Sequence, residues 1–414
     1  MLGKRTPFQR LGARSTLGAC SLVGACLLLV PTSACFSSSS SGGPSNEGSP
    51  DATADGSDDV DSSAPVGSEA STSEPDASTG EPDAATDASA TPDASPEAGA
   101  FDGEAGPSCA DDLGKIYVAD GLNNERVVRV DDMCGTNWTA LSSVSGPEAS
   151  LMSVGEPEGV FVDSAGKIYM ASTFGNNSII RIDDMTGANW TSVGTTGSGT
   201  LQFQAPKDVF VDGSGHIYVT DSFNYRIVRM DDMTGKNWTT FGTRGTGVNQ
   251  FSVPTSIFVD AAGHIYVTDG DVADSFDRVV RIDDMTGKNW TTFGAFGTGV
   301  DQFSALWGVF VDPTGHIYLT DSGNARVVRV DDMTGTNWTT YGTMGTGVGG
   351  FYSPTGIFVD AGGRIYVIDA AESAYGTDDG IVRMDDMTGK NWLRFGRYGG
   401  QMNEFNQATG LWVH

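Results

Sequence analysis

Helices are the first thing missing from this chain. Nowhere in its 414 residues does a helical apolar period persist over a useful length, which leaves no basis for a helical layer. Basic residues are scarce, with 24 Lys and Arg against 53 Asp and Glu and a net charge of −29. A nucleic-acid partner is disfavoured, because phosphate binding needs the opposite sign. The acidity is uneven: nearly half of the net charge lies ahead of Leu113, in the part of the chain that precedes the repeats described below. The apolar run at 17–30 is too short for a membrane span. There is no Ser-His-Asp arrangement, no HExxH, no phosphate loop and no convergent His/Glu cluster. Those absences leave catalysis without an obvious carrier.

What the chain has instead is repetition. The stretch from His216 to Trp238, HIYVTDSFNYRIVRMDDMTGKNW, returns five more times, starting at Ile116, Ile168, Ile265, Ile317 and Ile365. The copies end in Asn-Trp pairs at Trp138, Trp190, Trp290, Trp338 and Trp392. A near-constant period of roughly 50 residues means a repeat architecture. Each period reads as four short strands. In the third, residues 208–212, 217–220, 226–230 and 237–241 are apolar or β-rich, and Gly-containing turns separate the first pair and the last pair. Four antiparallel strands per unit and six units make a six-bladed, all-β propeller. The last residues, Gly410-Leu-Trp-Val-His414, form a first strand with no unit after it, and the first unit lacks that strand. The ring is therefore expected to close with the C-terminal strand in blade one.

The pattern F-x-x-P-x-G-I-F-V-D-x-x-G-x-I-Y-V-x-D-x-x-N-x-R resembles the NHL-repeat family. Phe351 to Asp360 and Gly363 to Asp369 follow it almost letter for letter. The resemblance covers residues 109–414 and implies an interaction module; related propeller lyases and lactonases hold a metal in the central channel.

The amino terminus is a targeting segment, residues 1–34, with Lys4, Arg5, Arg10 and Arg14 ahead of the apolar run. Pro31-Thr-Ser-Ala-Cys35 resembles the lipobox of bacterial lipoproteins, in which the Cys carries the lipid, although Thr32 stands where Leu is usual. Cys26 and a plain cleaved signal are the alternatives. Phe36 after the Cys implies, by the same resemblance, anchoring at the outer membrane of a Gram-negative bacterium, facing the periplasm or the cell surface. Residues 35–108 are Ser, Ala, Asp, Pro, Gly, Thr and Glu with almost nothing apolar, an expected disordered linker. With Cys35 lipidated, Cys109 and Cys134 remain as an even pair in an exported chain, which reads as a disulfide.

Several recurring side chains could carry chemistry, and each has a plainer role. The Asp after the second strand and the Arg opening the third (Asp120 with Arg126, Asp221 with Arg226, Asp269 with Arg278, Asp321 with Arg326) read as structural salt bridges. Unit two replaces both partners, by Ser172 and Ser178, which fits the cost of a lone buried charge. Unit six keeps Asp369 but has Gly380. The paired Asp of each third turn reads as turn capping plus an Arg contact rather than a calcium loop, which needs six to eight oxygens. His216, His264 and His316 interchange with Lys115, Lys167 and Arg364, so they read as exposed turn residues and not metal ligands. The Asn-Trp-Thr sequons at Asn137, Asn189, Asn237, Asn289 and Asn337 read as by-products of repetition.

Variation between copies marks the candidate ligand site. At the channel mouth the residue after the Pro position is Glu158, Lys207, Thr255, Trp307, Thr355 or Thr409, and Asp208 is the remaining chargeable group there. Two long loops, 271–277 and 370–379, are placed on the same face. The leading reading is a monomeric, lipid-anchored propeller that binds a protein, peptide or glycan on this loop face, touches a membrane only through its anchor, and needs no cofactor. The second is a metal-dependent lyase or lactonase-like enzyme with its site in the channel.

Overall fold

Each blade begins as a run of β-branched and aromatic residues that has nowhere to be but inside. In the computed structural model, which describes residues 108–109, 114–145, 151–173, 175–271, 276–370 and 379–414, the second strands are buried along their whole length, as in Ile217–Asp221 and Ile317–Asp321. An ordinary antiparallel sheet with one wet face alternates polar and apolar residues. These strands do not alternate, because each blade is packed between two others and is covered on both faces. The apolar clusters accordingly span neighbouring blades: one joins Phe310, Tyr318 and Val327 to Ile357, Val367 and Val382, the next joins Ile368 and Ile381 to Val118 and Leu411.

Six four-stranded antiparallel sheets make up the six-bladed propeller. Blade three runs Pro206–Val211, Ile217–Asp221, Arg226–Met230 and Thr239–Phe241 from the channel outward. Blade one is assembled from both ends of the chain. Gly410–Val413 pairs antiparallel with Ile116–Asp120, Ile116 opposite Val413 and Ala119 opposite Gly410. Lys115 and His414 exchange backbone hydrogen bonds at 2.8 and 2.9 Å beyond the last pair. Closure by the terminal strand is thus as the sequence implies, and the sheets have no open end in the ring.

The Trp residues that stand just before each outer strand pack between blades. Trp338 lies 5.4 Å from Phe303 of the connector that leads into its own blade and 6.1 Å from Phe293 of the blade before, centroid to centroid. Their Asn neighbours hold left-handed backbone at φ near +54°, as at Asn289, which Asn tolerates better than most residues. The Asn289 Nδ2 donates to Asp283 at 2.6 Å, and the amide of Thr286 to Asp284 at 2.8 Å. The sequon asparagines are therefore committed to closing the third turn, and the paired Asp caps it.

Cys109 and Cys134 form a disulfide with Cα atoms 5.1 Å apart, at the third turn of blade one. The Met133 amide donates to the Cys109 carbonyl at 3.1 Å. The bond pins the start of the domain to the blade that the tail completes. Reduction is expected to lower stability by about 3 kcal/mol through loop entropy, read from denaturant unfolding with and without reductant. The expected anchor at Cys35, the expected signal segment and the expected linker up to residue 107 lie outside the described residues.

Candidate functional site

The inner strands run from the mouth down to the first turns, and each blade connector reaches from a second-to-third-strand loop, where Asn124 donates to the Gly399 carbonyl at 2.9 Å, to the third turn of the next blade, where a Cβ on Gly135 would lie 3.0 Å from Asn403. Arg126, which opens a third strand, donates to the carbonyls of Gly400 and Glu404 in the preceding connector at 3.0 and 2.7 Å, and to Asp120 at 2.7 Å. Asp221–Arg226, Asp269–Arg278 and Asp321–Arg326 repeat the arrangement. Each pair is a staple between blade and connector, as well as a salt bridge. Burial raises the Asp269 carboxyl to about 6 against the pull of Arg278. Blade six does not leave Asp369 alone: Arg394, from the outer strand, reaches it at 2.7 Å and also donates to the Gly350 carbonyl at 3.1 Å. In blade two, Ser172 and Ser178 sit opposite each other, both buried.

Halfway down, the channel is closed by aromatic rings. Phe161, Phe210, Phe258, Phe310, Phe358 and Trp412, one per inner strand, stand in a collar with consecutive centroids 4.9, 5.0, 5.0, 5.0 and 5.0 Å apart, and Trp412 meets Phe161 at 4.3 Å. Neighbouring planes among the phenylalanines are inclined by 57° to 59°, close to one-sixth of a turn, as six-fold repetition demands. Above the collar a cavity of about 50 Å³ remains. That holds a few waters and is far below the several hundred Å³ of a typical small-molecule site.

The layer over this cavity is built from small residues. Gly159, Asp208, Ser256, Gly308, Gly356 and Gly410 occupy equivalent positions. Backbones approach closely there: a Cβ on Gly308 would lie 2.5 Å from the Thr355 carbonyl oxygen, and one on Gly410 2.5 Å from that of Glu158. The two departures from glycine are partners. Ser256 Oγ donates to Asp208 at 2.7 Å, as does the Ile257 amide at 3.0 Å, and the Val209 amide donates to the other oxygen at 2.8 Å. A Cβ on Gly159 would stand 2.6 Å from Asp208, so that glycine makes the room. Burial pushes the Asp208 carboxyl up to about 6 despite these donors.

At the mouth itself, three blades meet. Lys207 Nζ is 3.0 Å from Glu158 and 4.3 Å from the centre of the Trp307 ring, an ion pair and a cation–π contact on one ammonium. Glu158, Lys207, Asp208, Thr255, Trp307 and Thr409 all line the cavity. Thr355 does not: it is buried, and its hydroxyl donates to the Ala408 carbonyl at 3.3 Å. Thr255 and Thr409 are bound the same way, to Trp307 O at 3.3 Å and Glu158 O at 2.8 Å. The threonines belong to a belt of hydroxyls that stitches blade to blade, and the remaining mouth cluster is Glu158, Lys207 and Trp307, whose side chains meet one another. Sequence reasoning missed Ser256 and the collar. The signal for the collar was the Phe between two β-branched residues in five inner strands, with Trp412 in the sixth place.

Elsewhere the histidines differ from expectation. His216, His264 and His316 are half-buried, each with Nδ1 2.8 or 2.9 Å from the turn Asp and Nε2 3.6 to 3.9 Å from the first Asp of the third turn. A histidine here bridges two turns, whereas Lys167 at the same place reaches the third-turn Asp183 at 4.0 Å and Arg364 the first-turn Asp360 at 2.8 Å. On either side of the long loop at 271–277, strands Ile265–Asp271 and Phe276–Ile282 lengthen together, and residues 272–275 lie outside the described residues. Of the acidic loop at 370–379, residues 371–378 lie outside the described residues. Among the described residues, no group of three His, Cys, Asp or Glu is placed to hold a metal ion.

No family model and no curated protein matches the chain. Solved structures do. A protein of unknown function from Bacteroides caccae aligns with TM-score 0.50 and 12% identity over 72% of this chain and 97% of its own. A gluconolactonase from Xanthomonas campestris aligns with TM-score 0.46 and 14% identity over 75% and 94%. Virginiamycin B lyase from Staphylococcus aureus aligns with TM-score 0.44 and 16% identity over 67% and 80%. At these identities the likeness is one of fold alone, and it is the chain's own six four-stranded sheets that make it a β-propeller.

Proposed function

We propose that this propeller is a binding module of the NHL-like kind, carried on a lipid-anchored exported chain, and that it takes a protein, peptide or glycan ligand at the channel mouth. The observation that carries the reading is the Glu158–Lys207–Trp307 cluster. It joins side chains from blades two, three and five, at a position where the other copies hold threonine. The cavity beneath, at about 50 Å³, favours a group laid across the mouth over a substrate engulfed in the channel. The Cys35 anchor and the linker supply the tether in this reading.

The alternative, a metal-dependent lyase or lactonase-like enzyme, meets a poor donor set. Both Asp208 oxygens already accept hydrogen bonds, Glu158 is paired with Lys207, and among the described residues no His or Cys lines the cavity. A photo-crosslinking residue placed at the exposed Gln204, in the connector two residues ahead of Pro206, and separately at Ser214 on the turn face, tests the binding reading in cells that make the full chain. An adduct from position 204 alone is expected, falling about tenfold with Lys207→Met, the equivalent of a ~1.4 kcal/mol loss. Equal yields from both positions, or no adduct from position 204, would sink it.

A further inference from the structure

The mouth cluster has more hydrogen-bonding capacity than its own contacts use. A lysine ammonium carries three protons, and among the described residues Lys207 Nζ donates only to Glu158 Oε2, at 3.0 Å. Glu158 Oε1 and the Trp307 indole N–H have no hydrogen-bond partner among the described residues. Donors, an acceptor and a half-buried aromatic ring therefore stand together at one place. The backbone around them is engaged instead with threonine. Thr220, Thr268 and Thr320 each accept from an inner-strand amide of their own blade, at Asp208, Ser256 and Gly308. Each then donates to a carbonyl of the next blade, at Thr255, Trp307 and Thr355. Peptides are held by main-chain bonds to an open strand edge, or by pockets and grooves for their side chains. At these positions no strand edge is left open, and the cavity of about 50 Å³ takes a few waters, not a large side chain.

We infer that the ligand at the mouth is an uncharged sugar of a glycan, with its C–H face against Trp307 and neighbouring hydroxyls on Lys207 and Glu158. This rests on the mouth reading and selects among the ligands it allows. A hydroxyl both donates and accepts, so a pair of them matches a lysine beside a glutamate as neither a carboxylate nor an ammonium does. A pyranose also sets an apolar face beside its hydroxyls, and an indole combines a large apolar surface with a polar N–H. Charge excludes an acidic sugar. Burial raises the Glu156 carboxyl, and the charges of Glu125 and Glu158 add to it, so an anion drawn to Lys207 also meets carboxylates.

The position-204 adduct separates this inference from the reading beneath it. Digested with trypsin, it is expected to carry a mass that periodate cleaves at vicinal hydroxyls and that holds no second peptide. Fatty acyl groups in that mass would mark a glycolipid as the source of the sugar, and their absence a polysaccharide. An adduct to a peptide overturns the sugar and leaves the mouth reading standing, whereas no adduct sinks both. Calorimetric titration of the full chain with maltohexaose, cellohexaose, mannohexaose and hexagalacturonate gives the second test. At least one neutral hexamer is expected to bind about tenfold more tightly than hexagalacturonate, and W307A and E158Q each to lose about tenfold for that hexamer at unchanged melting temperature. Hexagalacturonate binding as tightly as the best neutral hexamer, no binding of any neutral hexamer, or unaltered affinity in both variants overturns the inference.

Discussion

Deleting the last ten residues is expected to abolish cooperative unfolding of the whole domain, not to trim one edge of it. The segment carries Phe405, fully buried against Trp138 at 5.3 Å, the collar ring Trp412, and Leu411 and Val413 of the strand that completes blade one. Truncating a single buried aromatic costs about 3–5 kcal/mol, and a domain has only about 5–15 kcal/mol in total. Losing two aromatics and two aliphatics together exceeds that margin. The cut also exposes the Ile116–Asp120 edge and the faces of blades six and two. The decisive control is a circular permutant that moves residues 405–414 in front of Ser108. It restores the strand while changing the connectivity, and should regain a single cooperative transition by near-ultraviolet circular dichroism. A truncated chain that melts like the full one would overturn the closed ring.

The ring was legible because its evidence is arithmetic. Six copies of one pattern and a solitary terminal strand need no three-dimensional knowledge, and neither does an even cysteine pair. What escaped depends on radius. Phe210 and Phe258 belong to different repeats, yet their rings stand 5.0 Å apart, and only the curvature of the ring brings them together. The same holds for Lys207, whose partners lie in the blade before and the second blade after. Asp369 escaped for another reason. Its cation was sought at the start of the third strand, where Gly380 stands, but sheet geometry lets the outer strand supply Arg394. A rule written on sequence spacing misses a partner that arrives from a neighbouring strand.

A second large effect is expected from Asp379→Asn, and its size should depend on pH. Three blades hang the next blade's first strand on one side chain, at the same spacing from the amide it binds. Asn177 accepts from the Ala205 amide at 2.7 Å, Asp277 from the Ala305 amide at 3.2 Å, and Asp379 from the Gln407 amide. Blade two thus shows that a neutral amide does this job. In blade six the carboxyl is buried, and among the described residues no cation is bonded to it and its other oxygen has no hydrogen-bond partner. Burial, with the charges of Asp120 and Asp369 adding to it, raises Asp379 to about 8 from the ordinary 3.8 of an aspartate. A carboxyl raised by folding binds its proton more tightly in the native state. The stability it contributes is complete below about pH 4 and is lost as pH rises through about 8. Asparagine carries no such proton. The variant should therefore match the wild type near pH 4 and gain on it by about 1.4 kcal/mol per pH unit, reaching roughly 5 kcal/mol near pH 8 and levelling off above that. Denaturant unfolding of both proteins across this range reads the gap directly. A gap that stays flat from pH 4 to 9 would mean that Asp379 is ionised throughout, its charge met by a neighbour. A variant less stable at every pH would mean that the carboxylate itself holds the Gln407 amide in a way that blade two's asparagine does not reproduce.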